Sequence, residues 1–403
     1  MGSGRKVIAL VDPYWEGHHL MYLKLFAKTL LDLGHYVTVF CPKPADVTQW
    51  VAENCPAHVN RIHVFKIPES EASRFPIAAV RSIFNTLKRW KTAANAIHEG
   101  SKKTGKETDL AFFAWLDSYM SILIPSMVID RIFHWRWAGL YFHPVHLRIK
   151  QRYSFIRKGL LDHDNLLSLE SCRSVAVLDE GISNCLQQKT GKRPVVVFPD
   201  LTDNTAPDKE CQIALDIREK AKGRKIIGLI GSLEKRKGLL TLMELAQKTQ
   251  QEDWFYIFCG KFCETGFTPE ELRYINGVVN SSPANCYFHF EYIPNEAQFN
   301  ALVDLCDVLF AVYENFYHSS NILTKAAHFR KWVLVSKGFC MDEQIRRFQL
   351  GLSVDSGDFA RCYEALQVLL NHATDLHPDF EGFLEHHSEK RLCDAFEAIL
   401  ASL

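Results

Sequence analysis

The chain has 403 residues, 47% apolar and 23% charged, a globular balance that excludes a disordered, collagen-like or coiled-coil protein and predicts two or three domains. Lys+Arg and Asp+Glu both number 47, and zero net charge argues against a dedicated nucleic-acid binder. Residues 1–200 hold 26 basic and 18 acidic side chains and the remainder 21 and 29, so two domains of opposite charge are expected, the basic one suited to an anionic acceptor or simply to its acidic companion.

Lys6 to Asp12 is a nearly continuous apolar run, as in a strand buried on both faces. A loop from Pro13 to His19 follows, then Leu20, Leu23, Ala27, Leu30 and Leu31 at helical spacing, stopped by Gly34. With a strand at 36–40 this is a βαβ opening, which predicts a parallel sheet. Further strands are expected at 62–67, 110–114, 140–143, 175–178 and 195–198, with helices at 77–97 and 182–189. Residues 199–212 are polar, with two prolines and no periodicity, and read as linker and hinge. A second series places strands at 225–230, 254–259, 286–290, 308–312 and 332–336, and helices at 239–250, 269–279, 296–305, 322–329 and 359–370. Residues 380–400 read as a helix or a bent pair. The pattern is α/β: two doubly wound parallel-sheet domains, 1–204 and 205–380, with 381–403 packing back on the first. Ligands of such sheets bind beyond the carboxyl ends of the strands, here in the cleft that two facing domains would form.

The twelve cysteines show no regular framework, which reads as reduced thiols of a cytoplasmic protein. Cys259 and Cys263 are a close pair with no second pair to complete a zinc site, and the histidine pairs lack zinc-helix spacing, so no protein-bound metal is expected. Neither a secretory signal nor a membrane span is expected, since the apolar region 110–129 is broken by Asp117, Ser118 and Pro125. Trp135-Arg136-Trp137, with Arg131 before it and Arg148, Lys150, Arg152, Arg157 and Lys158 after it, is an aromatic-basic cluster suited to an anionic acceptor or a peripheral membrane contact.

Two strand-to-helix loops of the second domain carry phosphate chemistry. In Gly231-Ser232-Leu233-Glu234-Lys235-Arg236-Lys237-Gly238, Gly231 permits close approach of a ligand, and Arg236 and Lys237 stand at the mouth of a helix whose free N–H groups favour an anion. A solvated basic turn has the same composition, but the position after a buried strand favours a ligand. The second loop contains Glu314 and runs through His318-Ser319-Ser320-Asn321 into Ile322 and Lys325; capping needs one polar residue, and three in a row suggest donors aimed at an anion.

These residues resemble GT-B glycosyltransferases of family 4, the retaining group 1 enzymes. The family's Gly-x-x-x-x-x-Lys-Gly element matches Gly231 to Gly238, its acidic loop and helix have the layout of His318 to Ala327, and its opening is similar to Gly17-His18-His19 with Gly34-His35-Tyr36-Val37. The chain departs from the family at Ser232, where an arginine is usual and Arg236 is the replacement, and at Tyr317 and Lys325, onto which the family's two glutamates fall. A lysine has only donors and cannot accept from ribose hydroxyls, which leaves Glu314 as the nearby substitute.

The resemblance implies a cytoplasmic transferase that moves a sugar from a UDP- or GDP-type donor to a small-molecule, glycan or lipid-linked hydroxyl acceptor with retention, without a cofactor. Arg236, Lys237 and His143 are its expected catalytic residues. Gly17, His18, Gly231, Ser232, Gly260, Tyr292, Ile293, Glu314, Ser319, Ser320, Asn321, Ile322 and Lys325 are expected on the donor, the base being bordered by the backbone near Tyr292. Trp115, Asp117 and His19 are expected on the acceptor side, Asp117 having a helix cap as its alternative role. A sugar-nucleotide epimerase or hydrolase, or a degenerate scaffold subunit, is the competing reading.

Overall fold

The structure is a computed structural model that describes residues 4–15, 19–69, 78–122, 124–149, 162–371 and 376–403. Gly17 and His18, and with them Lys150, Arg152, Arg157 and Lys158, lie outside the described residues. The chain forms two compact units, Met1–Pro199 with Glu389–Leu403, and Asp200–Ser388. The chain thus crosses between them at Asp200 and Glu389, whereas the sequence reading puts the crossings at 205 and 381. The difference has a packing cause: Phe380 and Phe383 of the helix Phe380–His386 are buried in the second core, with Phe383 edge-on to Phe348 at 5.2 Å.

The first unit holds a seven-stranded sheet of β1 (Val7–Val11), β2 (Tyr36–Cys41), β3 (Ile62–Lys66), β4 (Leu110–Phe113), β5 (Trp137–Leu140), β6 (Cys172–Val177) and β7 (Val195–Val197), in the order β3-β2-β1-β4-β5-β6-β7. All six pairings are parallel. Successive side chains leave a strand on opposite faces, so Phe112 and Phe113 feed two cores. Phe113 joins Trp90, Tyr119, Phe133 and Trp137 on one face. Phe112 meets Phe26, Phe198 and Phe396 on the other, and Phe396 comes from the last helix, Glu389–Ala401. Each fully buried ring is worth about 2 kcal/mol in lost water contact.

β5 begins three residues earlier than the sequence suggests and ends at Leu140, so His143 stands in the loop beyond it. Trp137 is therefore a core residue, fully buried, with Nε1 donating to Ser171 Oγ at 3.2 Å. The aromatic half of the aromatic-basic cluster is thereby internal, since Trp135 packs against the same core, whereas Arg131 and Arg136 are exposed, Arg136 donating to the Leu403 carbonyl at 2.7 Å. No helix of the described residues is long and apolar enough to cross a membrane.

The second unit has a six-stranded parallel sheet of β8 (Lys225–Ile230), β9 (Trp254–Cys259), β10 (Cys286–His289), β11 (Val308–Ala311), β12 (Trp332–Ser336) and β13 (Gly351–Val354), in the order β10-β9-β8-β11-β12-β13. β9 shows how a continuous apolar run serves two cores: Trp254, Tyr256 and Phe258 face one layer, Phe255, Ile257 and Cys259 the other. Eight of the twelve cysteines are buried, and all are free thiols.

Candidate functional site

Strand order reverses between β1 and β4 in the first sheet and between β8 and β11 in the second. At such switch points neighbouring loops diverge and leave a crevice at the carboxyl ends of the strands. The loops after these four strands carry most of the residues singled out from sequence.

In the second unit, Gly231 follows β8 with φ +108 and Gly260 follows β9 with φ +137. A Cβ on Gly260 would run into the Gly231 carbonyl, so two bare backbones cross where side chains would otherwise stand. Lys235–Lys237 forms one 3₁₀ turn, closed by Gly238 in the left-handed region, 2.5 Å from the Val312 carbonyl by the place its Cβ would take. The Glu314 N–H donates to the Arg236 carbonyl at 2.6 Å, so the basic turn and the loop after β11 are bonded to each other.

The three cations of this turn have different fates. Lys235 is spent on Glu271 at 2.7 Å. Arg236 gives its Nε–H to Glu234 at 2.7 Å and lies over the Phe316 ring, with its side chain half exposed. The Lys237 ammonium makes no hydrogen bond or ion pair among the described residues. It is 3.9 Å from where a Gly231 Cβ would be and 5.4 Å from the centre of the buried Tyr313 ring. Burial, with the Arg236 charge adding to it and Glu234 opposing it, pushes its pKa down to about 8. An unpaired ammonium in this setting is costly and favours an anion beside it.

The loop after β11 is less open than its sequence suggests. Ser319 Oγ donates to Asp200, Ser320 shares a hydrogen bond with the Tyr313 hydroxyl, and Asn321 makes no side-chain cap to the helix Ile322–His328. The Ser319 hydroxyl is thus engaged within the protein, not offered as a donor. Glu314 is half-buried, and its carboxylate has no partner among the described residues. Ser232 is exposed, Ile293 is buried in the core, and Tyr292 is 73% exposed, leaving a bare aromatic face after β10.

Lys325 is placed otherwise than on a ligand. It is 3% exposed, and its Nζ donates to Asn300 Oδ1 at 2.6 Å, Glu296 Oε2 at 2.8 Å and the Asp203 carbonyl at 3.0 Å. Three donors meet three acceptors, so neither a diphosphate nor Glu314 is its partner. It fastens the segment after the first crossing to the helix Glu296–Leu305, as does Asn300 by donating to the Thr205 carbonyl at 2.8 Å, while Thr324 ties the Asp200 carbonyl to the helix Ile322–His328 at 2.6 Å. Residues 200–205 are therefore tied to the second unit rather than forming a free linker.

In the first unit, Asp12 follows β1 and is almost fully buried, with its pKa raised by that burial. His19 Nδ1 meets its carboxylate at 2.9 Å, and nothing among the described residues hydrogen-bonds His19 Nε2. The His19 ring lies 4.3 Å from Trp115, which stacks on Phe142 at 4.1 Å and stands 5.4 Å from the exposed His143. Asp117 is neither helix cap nor open carboxylate: it accepts the N–H groups of Phe142 at 2.7 Å and His143 at 2.6 Å, and burial pushes its pKa up to about 6. It fixes the loop that carries His143.

The chain matches no protein-family profile and no curated protein sequence. It is similar in structure to many solved proteins. Anabaena HepE in complex with UDP and glucose superposes with a TM-score of 0.63 at 14% identity, over 99% of this chain and 100% of that one. Sucrose-phosphate synthase of Thermosynechococcus elongatus gives 0.61 at 16%, over 98% and 97%. A co-structure of MnaA of S. aureus with UDP gives 0.61 at 11%, over 99% and 98%. This chain has the GT-B fold.

Within this GT-B fold, sequence reasoning passes over four residues that shape the sites. Asp12 is a polar residue ending an apolar strand seven positions before His19, a legible signal. Tyr313 and Phe299, the rings beside Lys237 and Gly231, read as ordinary apolar residues. Asp200, which takes the Ser319 hydroxyl, lies 119 residues away in the chain.

Proposed function

We propose that the protein transfers a glycosyl group from a nucleoside-diphosphate sugar to a hydroxyl acceptor with retention of anomeric configuration. One observation carries the reading: a half-buried Lys237 ammonium, without a partner among the described residues, beside the glycine-bared carboxyl ends of β8 and β9, at the switch point of the second sheet. That is where a departing diphosphate gains most from a fixed cation. Arg236 adds its remaining donors from the next position. The structures of similar fold solved with UDP favour UDP as the base-bearing half of the donor. Tyr292 offers its exposed ring to the uracil, and Glu314 its carboxylate to the ribose. No side-chain nucleophile is required, because the leaving phosphate can take the acceptor's proton.

A panel of UDP-sugars incubated with the full chain, with products followed by proton NMR, tests this. Release of UDP with an α-linked product from an α-linked donor is expected. Isomerised nucleotide sugar, or free sugar alone, would replace the transferase with an epimerase or a hydrolase.

The His19–Asp12 pair favours a second reading. A histidine oriented by a buried carboxylate, with its other nitrogen unoccupied, is built as a general base. If His19 takes the acceptor proton, transfer is a single displacement and the product has inverted configuration, which the same spectra distinguish.

A further inference from the structure

The first unit contains an open-mouthed concavity that none of the loops discussed above fills. Four residues of the helix Ala78–Thr104 line it: Asn85, Lys88, Arg89 and Thr92. Their spacing is i, i+3, i+4, i+7, which places all four on one face of the helix. Asn85 is buried, Arg89 and Thr92 are half-buried and Lys88 is exposed, so this polar, cationic face runs from the interior to the rim. Glu69, just beyond β3, and Tyr119 add polar groups, and Pro13, Ile67 and Pro68 complete the lining with an apolar wall.

Two features make this a built site rather than a surface dent. Tyr119 is fully buried, yet its hydroxyl has no hydrogen-bond partner among the described residues. Buried hydroxyls nearly always find a partner, so an orphan beside a cavity is a group that a ligand or a water can satisfy. The cations are also arranged differently from a solvated pair. Arg89 is held in place, donating to the Ser118 carbonyl at 2.8 Å and lying over the Tyr14 ring at 5.8 Å. Lys88 is exposed and has no ion pair among the described residues.

We propose that this cavity binds a phosphorylated sugar, its phosphate on Lys88 and Arg89 and its hydroxyls on Tyr119, Asn85, Thr92 and Glu69. A bare anion would need the cations but not the orphan hydroxyl or the rim carboxylate, and a neutral sugar would not need the cations. The site lies beside His19, since Tyr14 touches both the Arg89 guanidinium and the His19 ring, the latter at 5.1 Å. The sugar phosphate is then the acceptor, an assignment that rests on the transfer reading, whereas the binding itself does not.

Calorimetry on the full chain tests it, with a panel of hexose 6-phosphates, glucose, inorganic phosphate and UDP as separate probes. At least one hexose phosphate should bind about tenfold more tightly than glucose or phosphate. Lys88→Ala should weaken it about tenfold and leave UDP binding unchanged, one charge-assisted contact being lost. Tyr119→Phe should weaken it several-fold while leaving the melting temperature unchanged or higher, because the ring stays and only the unpaired hydroxyl goes. A purely structural Tyr119 would show no binding effect. The proposal is overturned if UDP binds but no hexose phosphate does, if phosphate binds as well as its sugar ester, or if Lys88→Ala binds like the parent. Hexose phosphate binding without UDP binding would support the site and remove the nucleotide reading instead.

Discussion

Lys237 is the residue on which the chemistry turns, and its environment makes two measurements informative. Loss of one cation facing a developing diphosphate charge costs about 2.7–4 kcal/mol, so Lys237→Ala should lower turnover by roughly 100- to 1,000-fold. Its fold should survive, because the ammonium holds no protein partner among the described residues. Near-parental turnover at limiting donor would remove the mechanism. The second measurement is pH. In the free protein this ammonium loses its proton above about 8 instead of its ordinary 10.5. Between those values the unfolded chain holds the extra proton, so this group's contribution to stability rises with pH through that window. A bound diphosphate restores the charge. UDP binding near pH 9 should therefore take up a proton, seen as a buffer-dependent heat, and affinity should fall as pH rises above 8. Binding heats independent of buffer would mean that UDP does not contact Lys237.

Lys325 has the opposite character, and mutation should separate the two. Removing it leaves buried acceptors on Asn300 and Asp203 unsatisfied, at about 1–3 kcal/mol each. Lys325→Ala should lower the denaturation midpoint of the second unit, with activity falling only as folded protein is lost. A stable variant without activity would return Lys325 to the ligand. Nothing local in the sequence announces this role: its acceptors lie 25, 29 and 122 residues away, and Thr324-Lys325-Ala326-Ala327 reads equally well as the start of an exposed helix.

At the scale of elements, the sites depend on how loops leave their strands. Gly260 is the strictest case, since any side chain there meets the Gly231 backbone and must also adopt a φ of +137. Gly260→Ala should cost on the order of 3 kcal/mol and abolish UDP binding even where fold is retained, as calorimetry and thermal denaturation would show. Unchanged UDP affinity would mean that the backbone crossing does not shape the nucleotide site. The elements were unevenly legible. β8, β9 and β12 stand out because long apolar runs bounded by polar loops have no other comfortable structure. β13 is four residues opening on a glycine, and the helix Cys340–Phe348 has buried Asp342 on its inner face, so neither shows a clean period. The helix Pro44–Asn54 buries only two residues, Val47 and Val51, and is correspondingly faint. β5 lies three residues before its expected place because Trp135-Arg136-Trp137 reads as polar-aromatic surface, while the register of β5 on β4, Trp137 opposite Ala111, is set by partners the local pattern does not contain.

For the molecule as a whole, each unit has its own parallel sheet, its own cores on the two faces and its own switch point, so ligands should announce themselves unit by unit. The two chain crossings meet within the second unit, where the Asp200 N–H donates to His387 Nδ1 at 2.9 Å. The segment that follows Asp200 is fastened there by Lys325, Asn300 and Thr324. Backbone amides exchange slowly when a ligand stabilises the state that protects them, and saturating ligand at a hundred times its dissociation constant adds about 2.7 kcal/mol. Hydrogen exchange with saturating UDP should therefore slow Gly231–Gly238 and Tyr313–Asn321, whose amides flank Lys237, and the loop around Tyr292. Peptides of β1, β2 and β3 should be unaffected, since no part of the proposed nucleotide site lies on them. A hexose phosphate should give the reverse pattern, with protection of the residues around Asn85–Thr92 and Tyr119. Protection by UDP confined to residues 4–199 would place the nucleotide on the first unit and overturn the assignment of donor to the second sheet.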